Sequence, residues 1–381
     1  MRKIYLDNAA TTPLDPEVLD AMLPYMKEHH GNPSAIHSFG RTTRAAVETS
    51  RRKVAELLNC APGEIIFTSG GTEADNMAIN GSVRDLGVKN IITSPIEHHA
   101  VEYSAHAVAN AGSAKAHWLK LHADGSPDLS HLEELLNAHT NALVSLMHAN
   151  NELGTRIDLN KVGSLCRKYN ALFHSDTVQT MGHYRFDLAN TPIDFLACAA
   201  HKFHGPKGIG FLYMRSDATL KPMILGGSQE RNMRAGTENV YGIVGLAKAM
   251  EIAYRDLDDH QRHVSGLKER MKQKLLASVP GVSFNGDSGP DSLYTVLSVN
   301  FPDDGKSEML IYNMDIEGIA CSGGSACSSG SNKGSHVMAA LYPDQTGANI
   351  RFSFSKMTKV EEIDRAVEVV AKVFAPVAVK A

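Results

Sequence analysis

From about residue 63 onward, short apolar runs alternate with amphipathic stretches. The runs EIIFTS, NIITS, LVSLMHA, ALFHSD, FLACAA and IGFLYM are strand-length and bounded by polar or glycine positions. Helical periodicity fills several of the gaps, near 72–86, 98–111, 128–139 and 158–170. This alternation predicts an α/β domain whose sheet is mostly parallel and flanked by helices. Upstream, Asp15 is placed to cap a helix that Pro16 begins. A second helix, roughly 41–59, follows the loop HGNPSAIHSFG, with Val47, Val54, Leu57 and Leu58 on one face. A periodic stretch over 243–278 reads as one or two helices. Beyond Pro280 the pattern changes to strands YTVLSVNF and NIRFSFS, with helices near 306–316 and 360–374. The expected organisation is a large α/β domain over 14–255 and a smaller α+β domain made of 1–13 and 256–381.

The 381 residues are 43% hydrophobic and 21% charged, which permits a large core and excludes a disordered or coiled-coil chain. Net charge is −4, so neither nucleic acid nor an anionic membrane is an expected partner. Arg2 and Lys3 are followed by Ile-Tyr-Leu and then Asp7, which is no signal-peptide core, and no apolar run is long enough to span a bilayer. Five scattered cysteines without CxxC pairs point to a reducing, cytoplasmic setting rather than a disulfide framework.

Ligands of doubly wound sheets sit beyond the carboxyl ends of the strands, so the residues there carry the functional reading. EIIF leads into Thr68-Ser69-Gly70-Gly71-Thr72-Glu73 and a helix start, which is either an anion site or an ordinary capped turn. The next strands lead into Glu97-His98-His99, Asn150-Asn151-Glu152, Asp176-Thr177-Val178-Gln179 and His201-Lys202-Phe203-His204. Singly, such residues are usually turn or cap residues; five successive polar strand ends describe a cleft. Zinc is one occupant to weigh, with His98, His99, Asp176, His201 and His204 as ligands. It is set aside, because adjacent residues on an extended segment point to opposite faces and no thiolate joins them, so no metal is expected. Pyridoxal phosphate fits better: it needs a Schiff-base lysine, a carboxylate for the pyridine nitrogen, an aromatic stacking partner, amide donors and a phosphate cup. Lys202, Asp176, His98, Asn151 with Gln179, and Gly71-Thr72 supply these parts. Lys207, past Gly205-Pro206, is the competing lysine and ranks below Lys202.

The segments LDNAATTPL, GNPSAIHSFG, TSGGTEADN, EHHAV, MHANNELG, HSDTVQ, HKFHGPKGIG, GGSQERNMRAGTENV, GGSACSSGS and NIRFSFS occur in this order. The series resembles cysteine desulfurases of the NifS/IscS type, within the class V aminotransferases of pyridoxal-phosphate fold type I. The resemblance runs from residue 4 to about 365. It implies that Lys202 carries the cofactor, Asp176 pairs with its pyridine nitrogen, and His98 stacks on the ring and serves as an acid/base. It further implies that Asn151 and Gln179 bind the phenolic oxygen, and that Gly71, Thr72 and His201 hold the phosphate, with Thr237 arriving from the partner subunit of a homodimer. Arg351 would bind the substrate carboxylate, a role its fork geometry suits; the alternative is a structural surface ion pair. Ala199 departs from the family, where many relatives have a phosphate-binding Ser.

The stretch 321–335, CSGGSACSSGSNKGS, is nearly all Gly, Ser and Ala, which suits either an ordinary loop or a tether for a nucleophilic thiol. The family's reactive Cys follows Gly-Ser-Ala and selects Cys327, leaving Cys321, at the end of the apolar run GIAC, as an inert thiol. The implied reaction converts L-cysteine to L-alanine, leaves a persulfide on Cys327, and passes sulfur to an acceptor such as an Fe–S scaffold protein or a thiolation pathway. Selenocysteine lysis or another class V reaction is the alternative.

Overall fold

A computed structural model describes residues 3–303, 305, 307–323 and 334–374. Its strands are β1 (Ile4–Tyr5), β2 (Ile65–Thr68), β3 (Asn90–Thr93), β4 (Lys115–Trp118), β5 (Ala142–Ser145), β6 (Leu172–Asp176), β7 (Phe195–Ala199), β8 (Gly210–Met214), β9 (Ser283–Phe284), β10 (Val296–Phe301), β11 (Ile319–Ala320) and β12 (Ala348–Ser353). The helices of the first half are α1 (Pro16–Lys27), α2 (Ser38–Leu58), α3 (Gly71–Asp85), α4 (His99–Asn110), α5 (Leu129–Ala138) and α6 (Leu159–Lys168).

Seven strands form the central sheet in the order β2-β8-β7-β6-β5-β3-β4. Only β8 runs against its neighbours. The strands read as continuous apolar runs because both faces are covered. Ile66, Ile91, Leu143, Phe195 and Leu212 pack into a core with α3 and α4. Their chain neighbours Phe67, Ile92, Val144, Leu196 and Phe211 face the opposite core, which holds Val18, Val54 and Leu246. The two-residue period of a strand sends each consecutive pair to opposite cores.

A separate cluster gathers Ile4, Leu6, Val264, Leu267, Met271, Val299, Phe301, Phe352, Ile363 and Val367. It fills the space between the antiparallel sheet β12-β10-β9 and the helices Leu257–Ser278 and Val360–Phe374. The first residues pack there through β1, which pairs in parallel with β11. Among the described residues no helix is long and apolar enough to cross a membrane.

Caps fall where the chemistry of the chain puts them. Asp15 accepts the Glu17 N–H at 2.9 Å and opens α1. Asp128 and Asp158 cap α5 and α6 in the same way. The stretch over 243–278 is two helices, Val240–Arg255 and Leu257–Ser278, separated at Asp256.

One buried ion pair bears on the site. Arg51 of α2, 2% exposed, meets both oxygens of Glu230 at 2.8 Å, and Glu230 also accepts the Phe67 N–H at 2.9 Å. It thereby ties β2, the strand that delivers Gly71 and Thr72, to the segment that carries Thr237. Glu230→Ala leaves a buried guanidinium without its carboxylate and is expected to cost about 3–5 kcal/mol. A lowered urea midpoint with an unchanged slope checks this.

Candidate active site

Five strands of the sheet end at one cavity of about 260 Å³. Its lining includes Gly71, Thr72, His98, Asn151, Asp176, Gln179, Ala199, His201, Lys202 and Arg351. Those from Gly71 to Lys202 are assembled by the sheet's shared carboxyl edge, and Arg351 enters from β12 of the antiparallel sheet. Thr237 does not line this cavity from its own chain; it lies beside Thr68, Ser69, Gly208 and Arg234. Cys327 lies outside the described residues. Lys207 is exposed and does not line the cavity, in keeping with its lower rank.

Lys202 ends the short turn Ala200–Lys202 directly after β7, and its Nζ donates to the carbonyls of Ala9 (2.5 Å) and Ala10 (2.9 Å). Gln179 Nε2 donates to the same Ala9 carbonyl at 3.0 Å, which leaves its second N–H for a ligand. The chain at 9–12 therefore forms one wall of the site. His201 Nδ1 lies 3.1 Å from Thr11 Oγ1, and the Thr12 hydroxyl donates to the His201 carbonyl. LDNAATTPL stood among the motifs but had no assigned role; its contribution is backbone carbonyls, which side-chain reasoning does not reveal.

Asp176 ends β6, buried, with one oxygen accepting the Val178 N–H at 2.8 Å. Burial raises its pKa, and the nearby His98 and Lys202 pull it back down. Two further buried carboxyls, Asp75 of α3 and Glu97, were not singled out from the sequence. Burial raises Asp75 well above the carboxylate range, with Asp176 adding to the rise. Burial lifts Glu97 to about 8, despite hydrogen bonds from Ser94 and the Met147 N–H. Burial thus favours the neutral form of both, while Asp176, which burial also raises, is the one of the three whose carboxylate form His98 and Lys202 favour. Asp176→Asn removes a charge-assisted bond and is expected to weaken cofactor binding by about 10²-fold. Asp75→Asn copies the form that burial favours and should change it little; equilibrium dialysis of both variants checks the contrast.

His98 caps α4, its Nδ1 accepting the Ala100 N–H at 3.2 Å. Burial lowers its pKa, so the ring is neutral at pH 7 and able to act as a base. His98 and His99 are separated by the helix start rather than by an extended strand: the first lines the inner cavity and the second opens α4.

The glycine turn read from the sequence as a phosphate cup is the start of α3. A Cβ on Gly71 would sit 2.5 Å from Val178 Cγ2, so only glycine leaves the turn open. Glu73, in the first turn, would repel an anion, but Arg234 neutralises it at 2.9 Å. Ala199 is buried beside this turn and supplies no hydroxyl. Gly71→Val is expected to lower cofactor affinity at least tenfold, because the added side chain meets Val178 where the turn must accept the phosphate.

Arg351 reaches the cavity, 3% exposed, but in company. Its Nη2 pairs with Asp7 at 2.8 Å and its Nη1 donates to the Asn151 carbonyl at 2.9 Å, while the buried Nε has no hydrogen-bond partner among the described residues. It is a buried ion pair rather than a surface one, and it keeps a donor for a carboxylate. Cys321 is partly buried against the smaller core, and its thiol is pushed up to about 12 by burial.

The site's residues fit pyridoxal phosphate on independent grounds: a glycine turn that any Cβ would fill, a buried carboxylate, and a lysine at a strand end. The family model for class V aminotransferases matches residues 4–366. The cysteine desulfurase IscS of Dictyoglomus turgidum is 41% identical over 98% of this chain and 94% of its own length. A solved NifS-like protein superposes with a TM-score of 0.90 at 35% identity, covering 98% of this chain and 99% of that one. A structure described as SspA in complex with cysteine gives a TM-score of 0.79 at 30% identity, over 94% of this chain and 100% of that one.

Proposed function

The chain belongs to the class V aminotransferase family, and from that membership and its cavity we infer that it is a pyridoxal-phosphate-dependent cysteine desulfurase. The observation that carries this reading is the convergence of Lys202, Asp176, His98 and the Gly71-Thr72 turn on one cavity. Pyridoxal phosphate, when bound, supplies an electron sink for the substrate's Cα.

The chain's own residues do the rest. Lys202 would hold the cofactor through its amine and, with that amine free, would carry the Cα proton of the substrate. Asp176 holds the pyridine nitrogen protonated. Gln179 and Asn151 orient the ring through its phenolic oxygen. Gly71, Thr72 and His201 take the phosphate, joined by the Thr237 side chain of a second copy in a homodimer. Arg351 binds the substrate carboxylate, and the neutral His98 ring moves the protons that complete L-alanine. Cys327 thiolate would attack the substrate sulfur as the substrate's Cβ–S bond breaks with its electron pair left on carbon, so that sulfur stays on Cys327 as a persulfide and the protonated three-carbon fragment leaves as L-alanine. An acceptor such as an Fe–S scaffold then removes that sulfur.

The small unit formed by 1–13 and 256–381 supplies Arg351 to the cavity at the larger unit's cofactor edge. Production of L-alanine from L-cysteine by the cofactor-loaded protein, stoichiometric with sulfide in the presence of reductant, tests the activity. Absence of both products contradicts it.

A further inference from the structure

At the rim of the cavity, outside the residues that handle cofactor and substrate, three metal-competent side chains meet. One nitrogen each of His99 and His336 and one carboxylate oxygen of Glu102 all lie within 4.8 Å of one another. His99 and Glu102 are three residues apart on α4, so they share a helix face, with Nδ1 to Oε2 at 2.9 Å. His336 opens the helix His336–Leu341 and brings its Nε2 to 3.9 Å from the same Glu102 oxygen. The two imidazole centroids are 4.4 Å apart.

The surroundings hold both rings. Tyr103 stacks on His99 at 4.7 Å and 14°. His336 Nε2 also lies 2.9 Å from the Glu97 carbonyl, a hydrogen bond that this nitrogen gives up on binding a metal. The next residue back, Ser335, bonds Glu152 through its hydroxyl at 2.5 Å, which fixes the start of the helix that carries His336.

From this geometry we propose that His99, Glu102 and His336 bind one borderline-soft divalent cation of the zinc class at the mouth of the cofactor cavity. Two imidazoles and a carboxylate are a set that zinc accepts while keeping a fourth position open. Ligand atoms about 2.0–2.1 Å from the metal stand roughly 3.3 Å apart in a tetrahedron, so modest ring rotations close the present spacing. Because His99 and His336 line the cavity, a cation held by them stands at its wall. The site does not depend on the desulfurase reading, since it stands on three side chains that the reaction does not use.

The test uses the cofactor-loaded full chain, reduced and stripped with chelator, then titrated with Co²⁺ as the probe. The expected result is one equivalent bound per chain, with visible d–d absorption, displaced by Zn²⁺. His99→Ala and His336→Ala should each weaken binding at least tenfold, and Glu102→Gln should weaken it measurably. An unchanged cofactor absorbance band shows that the variants are folded. Stoichiometric binding that is undiminished in all three variants, or no saturable binding to the wild-type chain, overturns the proposal.

Discussion

Lys202→Ala is expected to eliminate the borohydride-reducible visible band of the bound cofactor and to reduce alanine formation by on the order of 10⁴-fold or more. Among the described residues no other lysine lines the cavity. Lys207 is exposed and away from the cavity, while Lys202 Nζ is held by the Ala9 and Ala10 carbonyls at the strand end. Lys207→Ala should therefore keep both the band and turnover. The variant lacking Lys202 should still bind pyridoxal phosphate weakly, because Asp176 and the Gly71-Thr72 turn remain. Borohydride reduction followed by peptide mass analysis separates the outcomes: a reduced cofactor on Lys202 of the wild type and on no peptide of the variant. Label on Lys207 in wild-type protein would reverse the assignment.

Cys327→Ser carries the second large effect. Cofactor binding should be unaltered, and L-cysteine should still perturb the cofactor spectrum, since every cavity residue that meets them is retained. Alanine formation should fall by more than about 10³-fold, because a serine hydroxyl is scarcely ionised at neutral pH and is a poor nucleophile toward sulfur. Cys321→Ser should keep most of the activity. Burial pushes the Cys321 thiol up to about 12, so almost none of it is thiolate at pH 7. Cys60 shares that fate, and Cys166 and Cys198 are raised further still. Brief alkylation at pH 7 should thus mark Cys327 first, and loss of turnover should track that modification.

Much of this was legible in the chain. Strands buried on both faces announce themselves as apolar runs, and their polar exits lay side by side because a parallel sheet puts all such ends on one edge. The edge strand β4 escaped because Lys115, Ala116, His117 and Trp118 are exposed or half-buried, which leaves no apolar run to detect. The helix α2 begins at Ser38 rather than near 41, because His37 Nδ1 accepts the Gly40 N–H. The imidazole is not among the usual capping groups. In the site, the residues that the sequence brought to one cavity were those whose chemistry is local to a strand end. Asp7 was missed because its partner Arg351 is 344 residues away, and Asp75 and Glu97 because burial, which sets their protonation, has no short-range signature. The His99, Glu102 and His336 group is likewise tertiary, since a loop and helix late in the chain fold back onto α4.

The central claim is that this chain moves sulfur from L-cysteine onto its own Cys327. Mass spectrometry of the wild-type protein after brief exposure to L-cysteine without reductant tests it most directly. The account predicts one added sulfur, about +32 Da, placed by fragment ions on Cys327, removed by reductant, and formed in step with L-alanine. Sulfur on Cys321, or alanine produced at the wild-type rate by Cys327→Ser, would contradict it.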